Sequence, residues 1–135
     1  MSPMPRRKAR ILVAEDDPTM LQWTAEILTR LGYEVVTAPD GETALRTFQQ
    51  APGLIQLVIS DGMMPGIGGL QLLRTISELS PSTATLLISG SPGMLFAAGS
   101  ASLAKPFRAE ALVAKVQGLL AEYEDCDEEP PSAGE

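Results

Sequence analysis

Three stretches of this chain are apolar almost without a break and too short to be helices. They are Ile11-Leu12-Val13-Ala14, Leu57-Val58-Ile59-Ser60 and Thr85-Leu86-Leu87-Ile88. A strand with no polar alternation must bury both of its faces, which happens where helices cover a sheet on both sides. Between these runs the apolar spacing turns helical. Asp17 stands as N-cap before Pro18, with Met20, Trp23, Ile27 and Leu31 at helical intervals and Gly32 as the stop. Glu34 to Ala38 reads as a second strand. Asp40-Gly41 opens a helix carrying Ala44, Leu45 and Phe48. A loop from Gly62 to Gly69 leads to a helix with Leu70, Leu73, Ile76 and Leu79 on one face, broken by Pro81. Leu103-Ala104 makes a short fifth strand, and Leu112, Val113, Val116, Leu119 and Leu120 line a last helix. Strands and helices in strict alternation predict an α/β fold with a five-stranded parallel sheet and right-handed crossovers. With 135 residues, one domain is expected.

Composition narrows the chemistry. The chain has no histidine, which excludes histidine triads, histidine-ligated metals and imidazole proton shuttles. A single cysteine, Cys126, excludes an internal disulfide framework and suits a reducing compartment. The net charge is −7, unevenly spread. Residues 1–10 carry four positive charges and residues 121–135 seven negative ones. No basic face is available for phosphate backbones, so nucleic acid is not an expected partner. No apolar run is long enough to span a bilayer, and the basic start lacks the apolar stretch and cleavage site of a signal peptide. The chain therefore reads as cytoplasmic, with residues 1–9 a flexible basic leader, 10–122 the domain and 123–135 an acidic flexible tail.

In open parallel sheets ligands bind beyond the carboxyl ends of the strands. The chemically distinctive residues fall there: Glu15, Asp16 and Asp17 after the first strand, Asp61 after the third, Ser89 after the fourth and Lys105 after the fifth. Three acids in a row can be no more than a solvated helix start that complements the macrodipole. Joined by Asp61, Ser89 and Lys105 at matching strand ends, they form a site. Crowded carboxylates at buried strand ends are costly unless a cation joins them. The available donors are Asp16, Asp61, a backbone carbonyl and water, all oxygen, which favours a hard ion such as Mg²⁺. Lys105 adds a point charge for a carboxylate or phosphoryl oxygen, and Ser89 a small hydroxyl donor.

These residues carry a family resemblance. Ile11 to Pro18, the run Ser60-Asp61-Gly62-Met63-Met64-Pro65-Gly66-Ile67-Gly68-Gly69, Ser89-Gly90 and Lys105-Pro106-Phe107 resemble the receiver domain of two-component response regulators, in order and over about residues 10–122. The resemblance implies the doubly wound strand order 2-1-3-4-5. It implies that Asp61 accepts a phosphoryl group from a histidine kinase or phosphotransfer protein. Mg²⁺ would be held by Asp16, Asp61 and the backbone carbonyl of Met63, with Glu15 acting through water. Lys105 and the Ser89 hydroxyl would bind phosphoryl oxygens, Pro106 would follow a cis bond, and Gly90 would leave room beside the phosphoryl group. The implied function is a stand-alone signalling module, not an enzyme, that acts on an unidentified protein target. The alternatives are a phosphorelay carrier or hybrid-kinase segment, and a phosphate-independent interaction domain. Phosphatases with an aspartate nucleophile need a second acid at position 63, where this chain has Met.

Three departures bear on signalling. Lys105 follows Ser89 by only sixteen residues, leaving Met94–Ala98 as helical material, so the fourth helix should be a stub or an irregular loop. Ser102 stands where the family usually has an aromatic switch residue. Gly66, Gly68 and Gly69 together should loosen the loop after Asp61. Met64 is expected to pack under that loop, and Trp23 to pack in the core.

Overall fold

A computed structural model of the protein describes residues 9–98 and 101–127, with side chains to residue 121. Five strands, β1 (Arg10–Ala14), β2 (Glu34–Ala38), β3 (Leu57–Asp61), β4 (Ala84–Ser89) and β5 (Ser102–Ala104), alternate with α1 (Pro18–Arg30), α2 (Gly41–Gln50), α3 (Gly69–Leu79), α4 (Pro92–Ala98) and α5 (Ala109–Asp127). All strand pairs are parallel, and the sheet order is β2-β1-β3-β4-β5. This is the parallel α/β architecture that the alternation predicts, in the doubly wound order that the resemblance implies. Among the described residues, no helix is long and apolar enough to cross a membrane.

Successive side chains along a strand point to opposite faces, and the uninterrupted apolar runs use both. Ile11, Val13, Leu57, Ile59, Leu86 and Ile88 pack with Leu28 of α1 and Leu112, Val116 and Leu120 of α5. Leu12, Ala14, Val58 and Leu87 pack with Phe48 of α2 and Leu72 and Ile76 of α3 on the other side. A fully buried leucine or isoleucine contributes about 2 kcal/mol. The strand ends are thereby held where the sheet order changes direction, between β1 and β3.

Local structure departs from the sequence reading in four places. The buried face of α1 is Thr24 and Leu28, with Leu21 and Ile27 against the same cluster; Leu31 and Trp23 are exposed. Apolar residues stand on two adjacent stripes of this helix, and the buried threonine hides the one the sheet selects. In α3 Leu72, Leu73 and Ile76 are buried while Leu79 is exposed. Helix α4 starts two residues early, at Pro92, because proline is tolerated in a first turn and Ser91 caps it: its hydroxyl accepts from the Met94 N–H at 3.4 Å.

The fourth difference concerns the domain ends. Ala9, placed in the leader, is 2% exposed and its carbonyl accepts from the Glu34 N–H at 3.0 Å. A small apolar residue next to β1 is drawn into the core by the strand that follows it. Helix α5 runs to Asp127, so residues 123–127, assigned to the tail, are helical. Residues 1–8 of the leader and 128–135 of the tail lie outside the described residues, as do Gly99 and Ser100.

Candidate functional site

Three of the predicted residues meet at the carboxyl ends of β1 and β3. Carboxylate oxygens of Glu15, Asp16 and Asp61 all lie within 4.8 Å of one another. Glu15 and Asp61 are buried, whereas Asp16 is exposed, so the cluster opens to water on one side. The backbone fixes them there. The Glu15 N–H donates to the Ala38 carbonyl at 3.1 Å, continuing the ladder with β2 past the end of β1. Asp17 caps α1, its Oδ1 accepting from the Thr19 N–H at 3.0 Å, and its own N–H donates to Glu15 Oε2 at 3.2 Å. The cap that starts the helix therefore also orients the first acid of the cluster.

Lys105 closes the cluster from β5. Its Nζ lies 2.7 Å from Asp61 Oδ1 and 3.9 Å from Glu15 Oε1. Its N–H donates to the Ser89 carbonyl at 2.9 Å, and the bond to Pro106 is cis, as the resemblance implies. Ser89 is buried at the end of β4, one residue past Ile88, the partner of Asp61 in the sheet. Its hydroxyl accepts from the Ser91 N–H at 2.9 Å and donates to Met94 Sδ at 3.7 Å. A side chain at Gly90 would approach nothing closer than Lys105 Cβ at 3.9 Å, so a small residue fits.

Electrostatics match this crowding. Burial pushes the Glu15 carboxyl from 4.5 up to about 7; the Asp17 N–H pulls it down, the Asp61 charge pushes it up and Lys105 pulls it down. For Lys105, burial works downward, but the hydrogen bond to Asp61 and the charges of Asp61, Glu15 and Asp16 outweigh it and raise its pKa. One ammonium thus serves three carboxylates. The all-oxygen donors, their spacing and the open side at Asp16 fit a small divalent cation that keeps several waters.

The glycine-rich loop is tighter than the sequence suggests. Gly69 is buried, its N–H donates to the Gly62 carbonyl at 3.1 Å, and a Cβ there would strike the Asp61 carbonyl. Gly66 has φ +76°, a left-handed conformation that favours glycine. Gly69 therefore permits close packing against Asp61, and Gly66 a tight turn, instead of loosening the loop. The Gly68-Gly69 pair was the available signal. Met64 packs against the cluster beneath the loop, and Met63 is exposed. Trp23 lies in the surface: 37% exposed, it meets Phe107 with ring centroids 5.7 Å apart. With Met20, Pro106 and Lys105 these rings line a groove of about 520 Å³ beside the acidic cluster. Met94, which touches Ser89, escaped sequence reasoning, because no periodicity links the two.

Residues 11–117 match the model of the response regulator receiver domain family. CpdR of Brucella abortus, a response regulator receiver protein, is 30% identical over 117 residues, 82% of this chain and 96% of CpdR. YrkP, an uncharacterized transcriptional regulatory protein of Bacillus subtilis, is 39% identical over 119 residues, 84% of this chain; the match spans 50% of YrkP's own length. Among solved structures, a response regulator receiver domain protein from Clostridium thermocellum superposes with a TM-score of 0.78 at 30% identity, covering 86% of this chain and 97% of that one.

Proposed function

The chain belongs to the response regulator receiver domain family, and from that premise we propose that Asp61 accepts a phosphoryl group from a histidine kinase or phosphotransfer protein. The observation that carries this reading is the 2.7 Å contact between Lys105 Nζ and Asp61 Oδ1 inside a cluster of three carboxylates. Asp61 is a nucleophile whose charge is held in place and partly neutralised before any donor arrives.

In the proposed reaction an Asp61 carboxylate oxygen attacks phosphorus. The new O–P bond forms as the P–N bond to the donor imidazole breaks, and the departing nitrogen takes its proton from solvent. Phosphoryl transfer asks the protein mainly for position and charge compensation. Lys105 moves with the developing charge from the carboxylate to a phosphoryl oxygen. The Ser89 hydroxyl donates to another. Asp16, Asp61 and the Met63 carbonyl would hold Mg²⁺, with Glu15 acting through water; the bound ion would neutralise phosphoryl oxygens. The apolar groove of Met20, Trp23 and Phe107 shares Lys105 with the pocket, and we assign the phosphodonor to that side. The output is a protein contact, so the domain acts as a switch and not as an enzyme.

Incubation with acetyl phosphate and Mg²⁺, read by intact mass, tests the reading. A gain of one phosphoryl group that disappears in Asp61→Asn is expected. No gain in the wild type, or the same gain in the variant, would remove Asp61 from this role.

A further inference from the structure

A serine hydroxyl carries one proton and so serves one acceptor at a time. In this structure the Ser89 proton goes to Met94 Sδ, 3.7 Å away. The same oxygen accepts from the Ser91 N–H at 2.9 Å, and the Ser91 hydroxyl accepts from the Met94 N–H at 3.4 Å. Ser89, Ser91 and Met94 therefore form a small closed circuit that ties the end of β4 to the first turn of α4.

Gly62 makes space for it. A Cβ on that glycine would stand 2.7 Å from Met94 Sδ and 3.2 Å from Ser89 Cβ, so the sulfur sits in a notch that any side chain at 62 would fill. The notch lies directly after Asp61 in the chain. Helix α4 has little else to hold it. None of its residues is buried, Met94 and Ala98 are the members packed against the core, and Phe96 is 88% exposed.

We propose that Met94 is a positioning residue that latches α4 to Ser89, and that a phosphoryl group on Asp61 opens the latch by replacing the sulfur as acceptor of the Ser89 hydroxyl's hydrogen bond. The release step rests on the phosphoacceptor reading above; the latch itself does not. A phosphoryl oxygen is anionic and a far stronger acceptor than a thioether, so the competition runs one way. Once the hydroxyl turns, α4 loses one of its few anchors while the sheet beneath it stays intact. The circuit links the site to an exposed helix without any ring at Ser102.

Amide exchange of residues 95–98, measured by NMR on the full chain, tests both parts. Met94→Leu keeps the apolar bulk and removes the sulfur acceptor. In the resting protein it is expected to speed exchange about threefold in the wild-type background and to add nothing in the Ser89→Ala background. The same ratio in both backgrounds would overturn the latch. Gly62→Ala, which evicts the sulfur from its notch, should match Met94→Leu; if that variant does not fold, the Met94→Leu cycle decides alone. Beryllofluoride with Mg²⁺ then serves as the phosphoryl mimic, its occupancy read by fluorine NMR. With the mimic bound, wild-type exchange should rise to the Met94→Leu level and the variant should not change further. Unchanged wild-type exchange with the mimic bound would overturn the release step. Absence of any bound fluorine signal would overturn the phosphoacceptor reading, while coupling between Ser89 and Met94 at rest would still support the latch.

Discussion

Glutamine in place of Glu15 removes one charge from the pocket and keeps its shape, including an oxygen for the Asp17 N–H. Burial raises the Glu15 carboxyl from 4.5 to about 7, so the folded protein holds its proton more tightly than the unfolded chain does. Below the unfolded value both states are protonated and the residue is neutral in its effect. As pH rises the unfolded chain ionises first, stability falls, and the full cost is reached above the folded value. The gap corresponds to about 3 kcal/mol at about 1.4 kcal/mol per pH unit. The glutamine amide must itself find partners, and carboxylates of Asp16 and Asp61 stand within reach. A net gain of about 2 kcal/mol for Glu15→Gln is therefore expected at pH 8 without Mg²⁺, or roughly 4 °C of melting temperature for each kcal/mol. The gain should shrink to roughly a few tenths of a kcal/mol near pH 4.5, where the folded glutamate is protonated and the unfolded one only half ionised. Adding Mg²⁺ at pH 8 should narrow or invert the difference, since the ion favours the ionised carboxylate. Urea unfolding of both proteins from pH 4.5 to 8 in EDTA is the assay. A difference that is the same at both ends of that range would refute the electrostatic account.

Other expectations use the same geometry. Mg²⁺ affinity, followed through Trp23 fluorescence, should weaken from pH 8 to pH 6 as Glu15 takes up its proton, and Asp16→Asn should weaken it about tenfold at pH 8; a titration unchanged by both would place the ion elsewhere. Gly69→Ala drives a Cβ into the Asp61 carbonyl and should cost about 3 kcal/mol by urea unfolding, whereas Gly90→Ala should be near neutral. Lys105→Ala strips the buried Asp61 carboxylate of its 2.7 Å partner; because the lysine side chain is 32% exposed, a loss of about 2 kcal/mol at pH 7 is expected, with slower labelling by acetyl phosphate. Equal stability of that variant and the wild type would mean that water replaces the ammonium.

The strands and the chemistry at their ends were legible because both are local. An unbroken apolar run of four residues has few ways to fold, and an acid directly after it must emerge at the sheet's edge. Asp17-Pro18 announced its helix for the same reason, through a cap that needs only neighbouring residues. Faces were harder. Helix α1 offers two apolar stripes, and only packing against β1 decides for Thr24 and Leu28 over Trp23 and Leu31. A glycine in a sequence suggests freedom, because a missing side chain says nothing about what fills its place. At Gly69 that is the Asp61 carbonyl, and at Gly62 it is a sulfur from 32 residues further along the chain. Contacts of that kind have no period, and the sequence alone does not contain them in readable form.

The sheet divides the apolar interior into two bodies, one bounded by α1 and α5 and the other by α2 and α3, with α4 against its edge. Side chains on opposite faces of a strand do not share neighbours, so substitutions on the two sides should combine additively. If the donor docks at Trp23 and Phe107 as proposed, substitutions there should leave the surface around Phe96 undisturbed. Among the described residues, the two surfaces approach one another at the strand ends where Glu15, Asp61, Ser89 and Lys105 stand.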